Sequence, residues 1–319
     1  MRIVVTGGAG YIGSHVVHAL VAAGHEPVVL DDLSNGHADA VGSARLVRAD
    51  VCAPKMLAHL VEETRAEAIL HFAARIQVGE SVARPDLYYS TNVGGMLQVA
   101  SVAATRKLPV VFSSTAAVYG EPQQIPIPVT HTCNPESPYG ASKWMGERML
   151  ADASAASLLR YVALRYFNAA GANLAANLGE RHHPETHLIP LAIDAARKRT
   201  PPLTVFGTDW PTPDGTCIRD YVHAIDLAAA HVKAVEHLVA GGPSAILNLG
   251  GGQGTSVKQV LDAVAKSVGQ PVPHNLSPRR PGDVAQLIAD ITEAKRVLNW
   301  SPQISTIERI VSDAAALRP

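Results

Sequence analysis

The N-terminal run Met1–Thr6 is short, apolar and rich in β-branched residues, and it enters Gly7-Gly8-Ala9-Gly10-Tyr11-Ile12-Gly13 directly. From Tyr11 to Ala23 the apolar residues take helical spacing, closed by Gly24. Strand, glycine turn and helix in that order leave few folds open. Gly7, Gly10 and Gly13 lack β-carbons, so backbone N–H groups and the helix N-terminus can come close to a pyrophosphate. The next strand, Pro27–Leu30, ends at Asp31-Asp32. An acid at that strand end suits the adenosine ribose hydroxyls and repels a 2′-phosphate, so the pattern predicts NAD over NADP. A glycine turn without a ligand is the competing reading; strand, helix and acid together favour the nucleotide. The candidate cofactor contacts in this stretch are Gly7, Gly10, Tyr11, Ile12, Gly13, Asp31, Asp32 and Asn35.

Strands and helices go on alternating through Arg45–Ala49, a helix near Pro54–Thr64, Ala68–Phe72, a longer helix over Leu87–Ala104, and Pro109–Ser113. This order predicts an α/β fold with a doubly wound (Rossmann) parallel sheet. Ligands of such sheets sit beyond the carboxyl ends of the strands, where this chain places Asp50-Val51, His71-Phe72-Ala73-Ala74 and Ser113-Ser114-Thr115. Asp50, Val51, Phe72, Ala73, Ala74 and Ser113 therefore join the cofactor candidates, with Asn92 from the long helix. After Tyr166 the texture changes to stretches rich in Gly, Pro, Asn and His between short helices, which reads as a smaller mixed α/β C-terminal substrate lobe. The expected division is 1–165 for the nucleotide domain, with a segment at about 216–248 returning to it, and 166–319 for the lobe.

Tyr139 and Lys143 lie at i, i+4 in the helical run Tyr139–Leu150, so they share one face. A phenol starts near pKa ~10, and a cation beside it favours the phenolate, which suits acid/base work near neutrality. Tyr-x-x-x-Lys by itself describes many surface pairs. Downstream of a dinucleotide loop it couples a proton handler to a redox cofactor.

The 319 residues are 47% hydrophobic, ample for a large core in two lobes. A net charge of −1 and the absence of a long basic stretch argue against nucleic acid as a partner. Cys52, Cys133 and Cys217 are scattered, which suggests neither a disulfide framework nor a zinc site and fits a reducing cytoplasm. A strand starts at the N-terminus where a secretory leader would stand, and no apolar run is long enough for a bilayer, so no membrane partner is expected.

Patches at Arg165-Tyr166-Phe167-Asn168, Phe206–Tyr221 and Pro278–Asp283 combine arginine with aromatic or turn residues. Guanidinium forks suit phosphate oxygens and a ring such as Phe206 can face a flat base, so together they suggest a second, phosphorylated ligand. His182, His183 and His187 look like metal ligands, but Pro184 breaks any helical face; exposed loop residues and no metal are the expectation. Gly250–Gly254 imitates a second dinucleotide loop between a strand, Ala245–Leu249, and a helix from Ser256. Without an acid at a following strand end it reads as a tight connection.

As a set, Thr6–Ser14, His71–Ala74, Val78–Ser81, Ser113–Gly120, Ser137–Lys143, Leu164–Asn168, Arg219–His223 and Pro278–Asp283 resemble the UDP-glucose 4-epimerase family of the extended short-chain dehydrogenase/reductase group. The resemblance spans nearly the whole chain. It implies one tightly bound NAD, a UDP-hexose in the C-terminal lobe, and a homodimer joined through the helices around Leu87–Ala104 and Tyr139–Leu150. The implied reaction interconverts UDP-glucose and UDP-galactose through a 4-keto sugar, with Tyr139 as base, Lys143 as its partner on the nicotinamide ribose, and Thr115 bonded to the 4-oxygen. Tyr166 is added to the cofactor contacts. Asn168, Arg219 and Arg280 are implied as diphosphate anchors, Phe206 and Tyr221 as part of the nucleotide pocket, Asp283 as a ribose contact, and His187 and Leu188 as further substrate contacts. Leu287 falls where the family sets tolerance at the sugar's 2-position, so the plain hexoses are expected as the main pair, with the N-acetylated pair also turned over.

Two residues depart from the family's pattern. Ile76 stands where some relatives aim a lysine at the NAD phosphates, leaving that charge to Arg75 or to backbone dipoles, and His187 replaces an asparagine. Among rivals on the same scaffold, a 4,6-dehydratase needs an acid and a base just after the active-strand Thr115, where this chain has Ala116-Ala117. An epimerase of UDP-pentoses or uronates is a nearer alternative. A non-catalytic dinucleotide-sensing regulator would be expected to lack Tyr139 or Lys143.

Overall fold

Ile3, Val4 and Val5 are all fully buried, as required of a parallel strand covered on both faces. The computed structural model describes residues 1–280 and 282–318; Pro281, inside the Pro278–Asp283 patch, and Pro319 lie outside the described residues. The chain runs β1 (Arg2–Thr6), α1 (Tyr11–Ala22), β2 (Glu26–Asp31), β3 (Arg45–Arg48), α2 (Met56–Thr64) and β4 (Ala68–His71). It continues through α3 (Val78–Ala83), α4 (Pro85–Tyr88), a π-helical turn at Tyr89–Val93, α5 (Gly94–Arg106), β5 (Val110–Thr115), α6 (Pro138–Ser157) and β6 (Tyr161–Tyr166). Next come β7 (Asn168–Ala170), α7 (Leu188–Ala196), β8 (Leu203–Phe206), β9 (Ile218–His223), α8 (Ala224–Val239) and β10 (Ala245–Leu249). The chain closes with β11 (Gly254–Ser256), α9 (Val257–Val268), β12 (His274–Ser277), β13 (Gln286–Leu287), α10 (Thr292–Leu298) and α11 (Ile307–Ala316).

Among the described residues the large sheet has seven parallel strands, ordered β10-β6-β5-β4-β1-β2-β3. This is the doubly wound sheet the alternation predicts. One face packs Val16, Val17 and Leu20 of α1 with Leu227 and Val235 of α8. The other packs Leu57 and Leu60 of α2, Met96 and Val99 of α5, and Leu150 of α6. A smaller mixed sheet is built on β9, which pairs antiparallel with β11 and parallel with β13 and β7. Beside it, α7, α9 and α11 enclose a third apolar cluster with Val205 and Tyr221. Of the segment at 216–248, α8 and β10 lie in the layers of the large sheet, whereas β9 is central to the small one.

The long helix expected over Leu87–Ala104 is interrupted at Tyr89–Val93, where the wider π turn sets Asn92 inward. The Asn92 amide oxygen accepts from Arg75 N at 2.8 Å, and its Nδ2 donates to Arg75 O at 3.1 Å and to Ser142 Oγ at 2.9 Å. The loop after β4 is thereby fixed to α6.

Helix α6 starts at Ser137, whose Oγ accepts from Gly140 N at 3.2 Å, with Pro138 in the first turn. Tyr139, Lys143 and Glu147 follow at successive i, i+4 positions on one face. Glu147 is buried in a two-point ion pair with Arg165 of β6, at 2.9 Å to Nε and 2.7 Å to Nη2. Ser114 Oγ donates to the same carboxylate, Arg165 Nη1 donates to Tyr119 Oη at 2.8 Å, and Tyr119 Oη donates to Asn248 Oδ1 at 2.6 Å. Arg165, read from the sequence as part of a phosphate-binding patch, is thus an interior group. It sits on a strand buried along its length, and Glu147 and Tyr119 take up its fork.

Removing one partner of such a pair strands the other charge. Glu147→Ala is expected to cost about 3–5 kcal/mol, read from denaturant midpoints, and Glu147→Leu combined with Arg165→Met to recover most of it.

Candidate active site

The glycine loop fits a dinucleotide by exclusion of side chains. Gly7 has φ +72°, and a β-carbon there would lie 2.4 Å from Ala73 N; at Gly13 it would lie 2.2 Å from Gly7 O. Gly10 caps α1, with its carbonyl accepting from Ser14 N at 2.9 Å. Asp31 ends β2 beneath this loop, its Oδ2 accepting from Ala9 N and its Oδ1 from Leu33 N, both at 2.9 Å. Burial pushes the Asp31 carboxyl up, opposed by those N–H donors. Asp32 accepts from Ser34 N at 2.8 Å and stays exposed. Asn35, Ala9, Gly10 and Tyr11 line a narrow cleft, while Ile12 packs on the core. Tyr11 reaches across to the lobe, its hydroxyl donating to Gly171 O at 2.7 Å.

At the neighbouring strand ends, Asp50 Oδ1 accepts from Cys52 N at 2.8 Å and Val51 is buried. Phe72 N and Ala73 N donate to Thr6 O at 2.8 and 3.1 Å, with Ala74 half-buried beyond them. Asn92 spends its amide on Arg75 and Ser142, so it shapes the wall of the crevice. Ile76 is exposed, and Arg75 Nη1 lies 3.5 Å from Glu80 Oε1. The Tyr166 hydroxyl is taken up by His231 of α8, whose Nδ1 donates to Leu227 O at 2.8 Å.

Lys143 is buried, its Nζ donating to Ser113 O at 2.8 Å and standing 5.1 Å from the centre of the Phe112 ring. Burial lowers the Lys143 ammonium to about 7. The Tyr139 ring meets Tyr88 edge-on at 6.5 Å. Burial pushes its phenol up, with a hydrogen bond to Thr115 pulling the other way. The net direction is opposite to the one the helical Tyr–Lys spacing predicts, because desolvation outweighs the single opposing hydrogen bond. Thr115 Oγ1 also accepts from Ala117 N at 3.2 Å, capping the turn that follows β5.

The small sheet gathers the substrate candidates. Leu287 on β13 is in register with Arg219 on β9, and Asn168 on β7 with Tyr221. Arg219 Nη2 lies 4.0 Å from Asp283, and Arg280 Nε donates to Asp283 at 3.0 Å. The Arg280 guanidinium covers the Phe206 ring at 4.7 Å. One carboxylate shared by two guanidinium groups leaves net positive charge, as a diphosphate requires.

Two groups were missed from sequence. Asp220 is buried and accepts from Gly251 N at 2.6 Å, Gly252 N at 3.1 Å and Ala289 N at 3.0 Å. Burial raises its carboxyl to about 7 against those three donors. The second glycine loop is therefore filled by the chain's own carboxylate. The histidine expectation holds only in part: His183 and His187 are exposed and His182 is half-buried, but His182 and His187 have carboxylate partners. Both converge with Glu180 and Glu185, because the loop turns back at Pro184 and needs no helical face. His187 caps α7 ahead of Leu188; burial lowers its pKa, yet Glu180 and then Glu185 raise it to about 10.

Residues 3–250 match the model of the NAD dependent epimerase/dehydratase family. A UDP-glucose 4-epimerase of Rhizobium meliloti is 49% identical over 303 residues, covering 95% of this chain and 92% of that protein. The crystal structure of UDP-glucose 4-epimerase from Brucella ovis in complex with NAD aligns at TM-score 0.96 and 46% identity, over 99% of this chain and 97% of that one. The enzyme from Bifidobacterium longum in complex with NAD+ and UDP aligns at TM-score 0.94 and 33% identity, over 100% and 98%. With its glycine loop, its buried Lys143 and a match covering most of its length, the chain belongs to the NAD dependent epimerase/dehydratase family.

Proposed function

We infer that this chain interconverts UDP-glucose and UDP-galactose with NAD as its cofactor. The observation that carries the reading is Tyr139 one turn before the buried Lys143 on α6, with Lys143 anchored on Ser113 and Thr115 close by at the carboxyl end of β5, in the sheet that carries the glycine loop. NAD, when bound, supplies the acceptor and donor of hydride for C4 of the hexose. Tyr139 takes the proton of the 4-hydroxyl as that carbon becomes a ketone, and returns it when the opposite face is reduced. Its phenol must pass through the ionised form. Burial opposes this, and the Thr115 hydroxyl together with a protonated Lys143 are the chain's own groups that favour it. Thr115 also orients the 4-oxygen. Ala116 and Ala117 offer no acid for dehydration.

The intermediate must present both faces, so the hexose has to turn while its nucleotide stays put. Arg219, Arg280 and Asn168 would hold the diphosphate, Phe206 and Tyr221 the base, and Asp283 the ribose, with Leu287 bounding the sugar's 2-position. Leu97 and Trp144 are 56% and 44% exposed on α5 and α6, which supports a homodimer through those helices. Cys52, Cys133 and Cys217 are free thiols, and no helix among the described residues is long and apolar enough to cross a membrane; the cytoplasm is the compartment that suits them.

Tyr139→Phe is expected to retain bound NAD and lower kcat by ~10²–10⁴, measured with UDP-galactose; a near-parental rate would remove Tyr139 from the proton path. Leu287→Tyr should suppress turnover of the N-acetylated pair selectively, since added bulk discriminates by about 1–3 kcal/mol. Equal loss for both pairs would show that Leu287 does not set tolerance there. Leu97→Arg with Trp144→Glu should yield a monomer by light scattering, and an unchanged mass would move the interface elsewhere.

A further inference from the structure

Glu180, His182, Glu185 and His187 each offer one ligand atom, and these atoms all lie within 4.8 Å of one another. Glu180 Oε1 is 2.7 Å from His187 Nδ1 and 3.0 Å from His182 Nδ1. Glu185 Oε1 is 3.1 Å from His187 Nδ1 and 4.0 Å from His182 Nδ1. Four ligands on a tetrahedral ion, at bond lengths of about 2.0–2.2 Å, stand about 3.4 Å apart. The observed separations bracket that spacing, so small shifts about a common centre would complete the shell.

We propose that Glu180, His182, Glu185 and His187 form a binding site for a divalent transition ion of the zinc type. The donor set, two imidazole nitrogens and two carboxylate oxygens, suits a borderline cation. Both carboxylates are withdrawn from water, with Glu180 and Glu185 side chains 7% and 9% exposed, and two such charges need a cation close by. His187 at 44% exposure leaves a route for the ion from solvent. The ligands have the outer support that metal sites use. Glu185 Oε1 is held by Thr186 N at 2.8 Å and His187 N at 2.9 Å, and its second oxygen faces Arg318 Nη2 at 3.4 Å. The His182 ring meets Tyr11 of the glycine loop edge-on at 6.2 Å.

Four protein ligands make a closed, structural site, remote in kind from hydride or proton transfer. Its effect is positional. The loop from Glu180 to His187 is moored at one end to the nucleotide domain, where Arg181 pairs with Asp39 at 2.9 Å and His37 contacts Arg181 O at 3.1 Å. At its other end it opens α7 with His187 and Leu188. An ion there clamps the substrate lobe's first helix to the wall of the cofactor cleft. The competing arrangement, two histidine–carboxylate pairs with no metal, uses the same contacts and gains nothing from added zinc.

Untagged, NAD-loaded protein would be stripped with a chelator, desalted and titrated with zinc chloride alone, then with cobalt chloride alone. The expected outcome is retention of about one equivalent per chain through gel filtration, a raised Tm, and a visible cobalt spectrum of the tetrahedral type. His182→Gln and Glu185→Gln, checked for intact NAD content, should lose the retained metal and the Tm response. No retention and no Tm response in the parent protein would overturn the site, as would full retention in both variants.

Discussion

The pair between Glu147 and Arg165 is the contact on which the rest of the site depends. It joins α6 to β6, and through Ser114, Tyr119 and Asn248 it also engages β5 and β10. Two charges in the interior contribute little net stability compared with a packed apolar pair, so their value here lies in register. An apolar contact would allow α6 to rotate or slide by a fraction of a turn. A two-point ion pair admits one alignment, and that alignment sets Lys143 on Ser113, with Tyr139 one turn before it on the same face.

The two glycine-rich loops show how similar backbone patterns reach opposite ends. In both, side chains are excluded by close approach: a β-carbon on Gly13 would strike Gly7 O at 2.2 Å, and one on Gly250 would strike Asp220 Oδ2 at 2.3 Å. The first stands at the start of a twelve-residue helix whose opening N–H groups carry no side-chain cap. The second has Asp220 inside it, so its donors are committed. A buried carboxylate in a nest of N–H groups does structurally what a phosphate does as a ligand. It fixes β9 against the end of β10, and so seats Arg219 and Tyr221 on either side of the acid.

The large sheet was legible in the sequence because its information is local: apolar runs, glycines at fixed offsets, and an acid at the end of the second strand. Gly7, Gly13 and Asp31 stand in the fold where those signals put them, Thr115 ends β5, and Tyr139 and Lys143 share a face of α6. What could not be read were partnerships made across the chain. Arg165 has the same local appearance as Arg219 or Arg280, and only its pairing with Glu147 across the α6–β6 interface marks it as interior. The upward push on the Tyr139 phenol was equally hidden, since i, i+4 spacing reports a neighbour but not the depth of burial. The Glu180–His187 cluster escaped for a third reason. Its spacing fits no helix or strand period, and a loop that doubles back is invisible to periodicity.

How the lobes are joined decides where freedom is left for a sugar that must turn. His223 ends β9 and caps α8, its Nδ1 accepting from Ile225 N at 3.1 Å and its Nε2 lying 3.2 Å from Asp313 of α11. Asp226, in the first turn of α8, accepts from Gln303 N and Ile304 N at 3.0 Å and from Ser305 Oγ at 2.6 Å. Ser305 in turn accepts from His223 N at 2.9 Å. These buried bonds tie the last helices of the lobe to the layer beneath the large sheet, and breaking them to open a hinge would leave carboxylates unpaired at considerable cost. The groups proposed for the nucleotide end therefore sit on a fixed frame. On the proposed reading three side chains meet the hexose: the Tyr139 phenol and the short Thr115 hydroxyl at its 4-oxygen, and the aliphatic Leu287 at its 2-position. With both polar contacts converging on one oxygen, the ring is not gripped in one orientation. On that reading the rigidity of the junction and the few contacts to the sugar would work together: the first would keep the diphosphate in place while the second would leave the ring free to offer its other face.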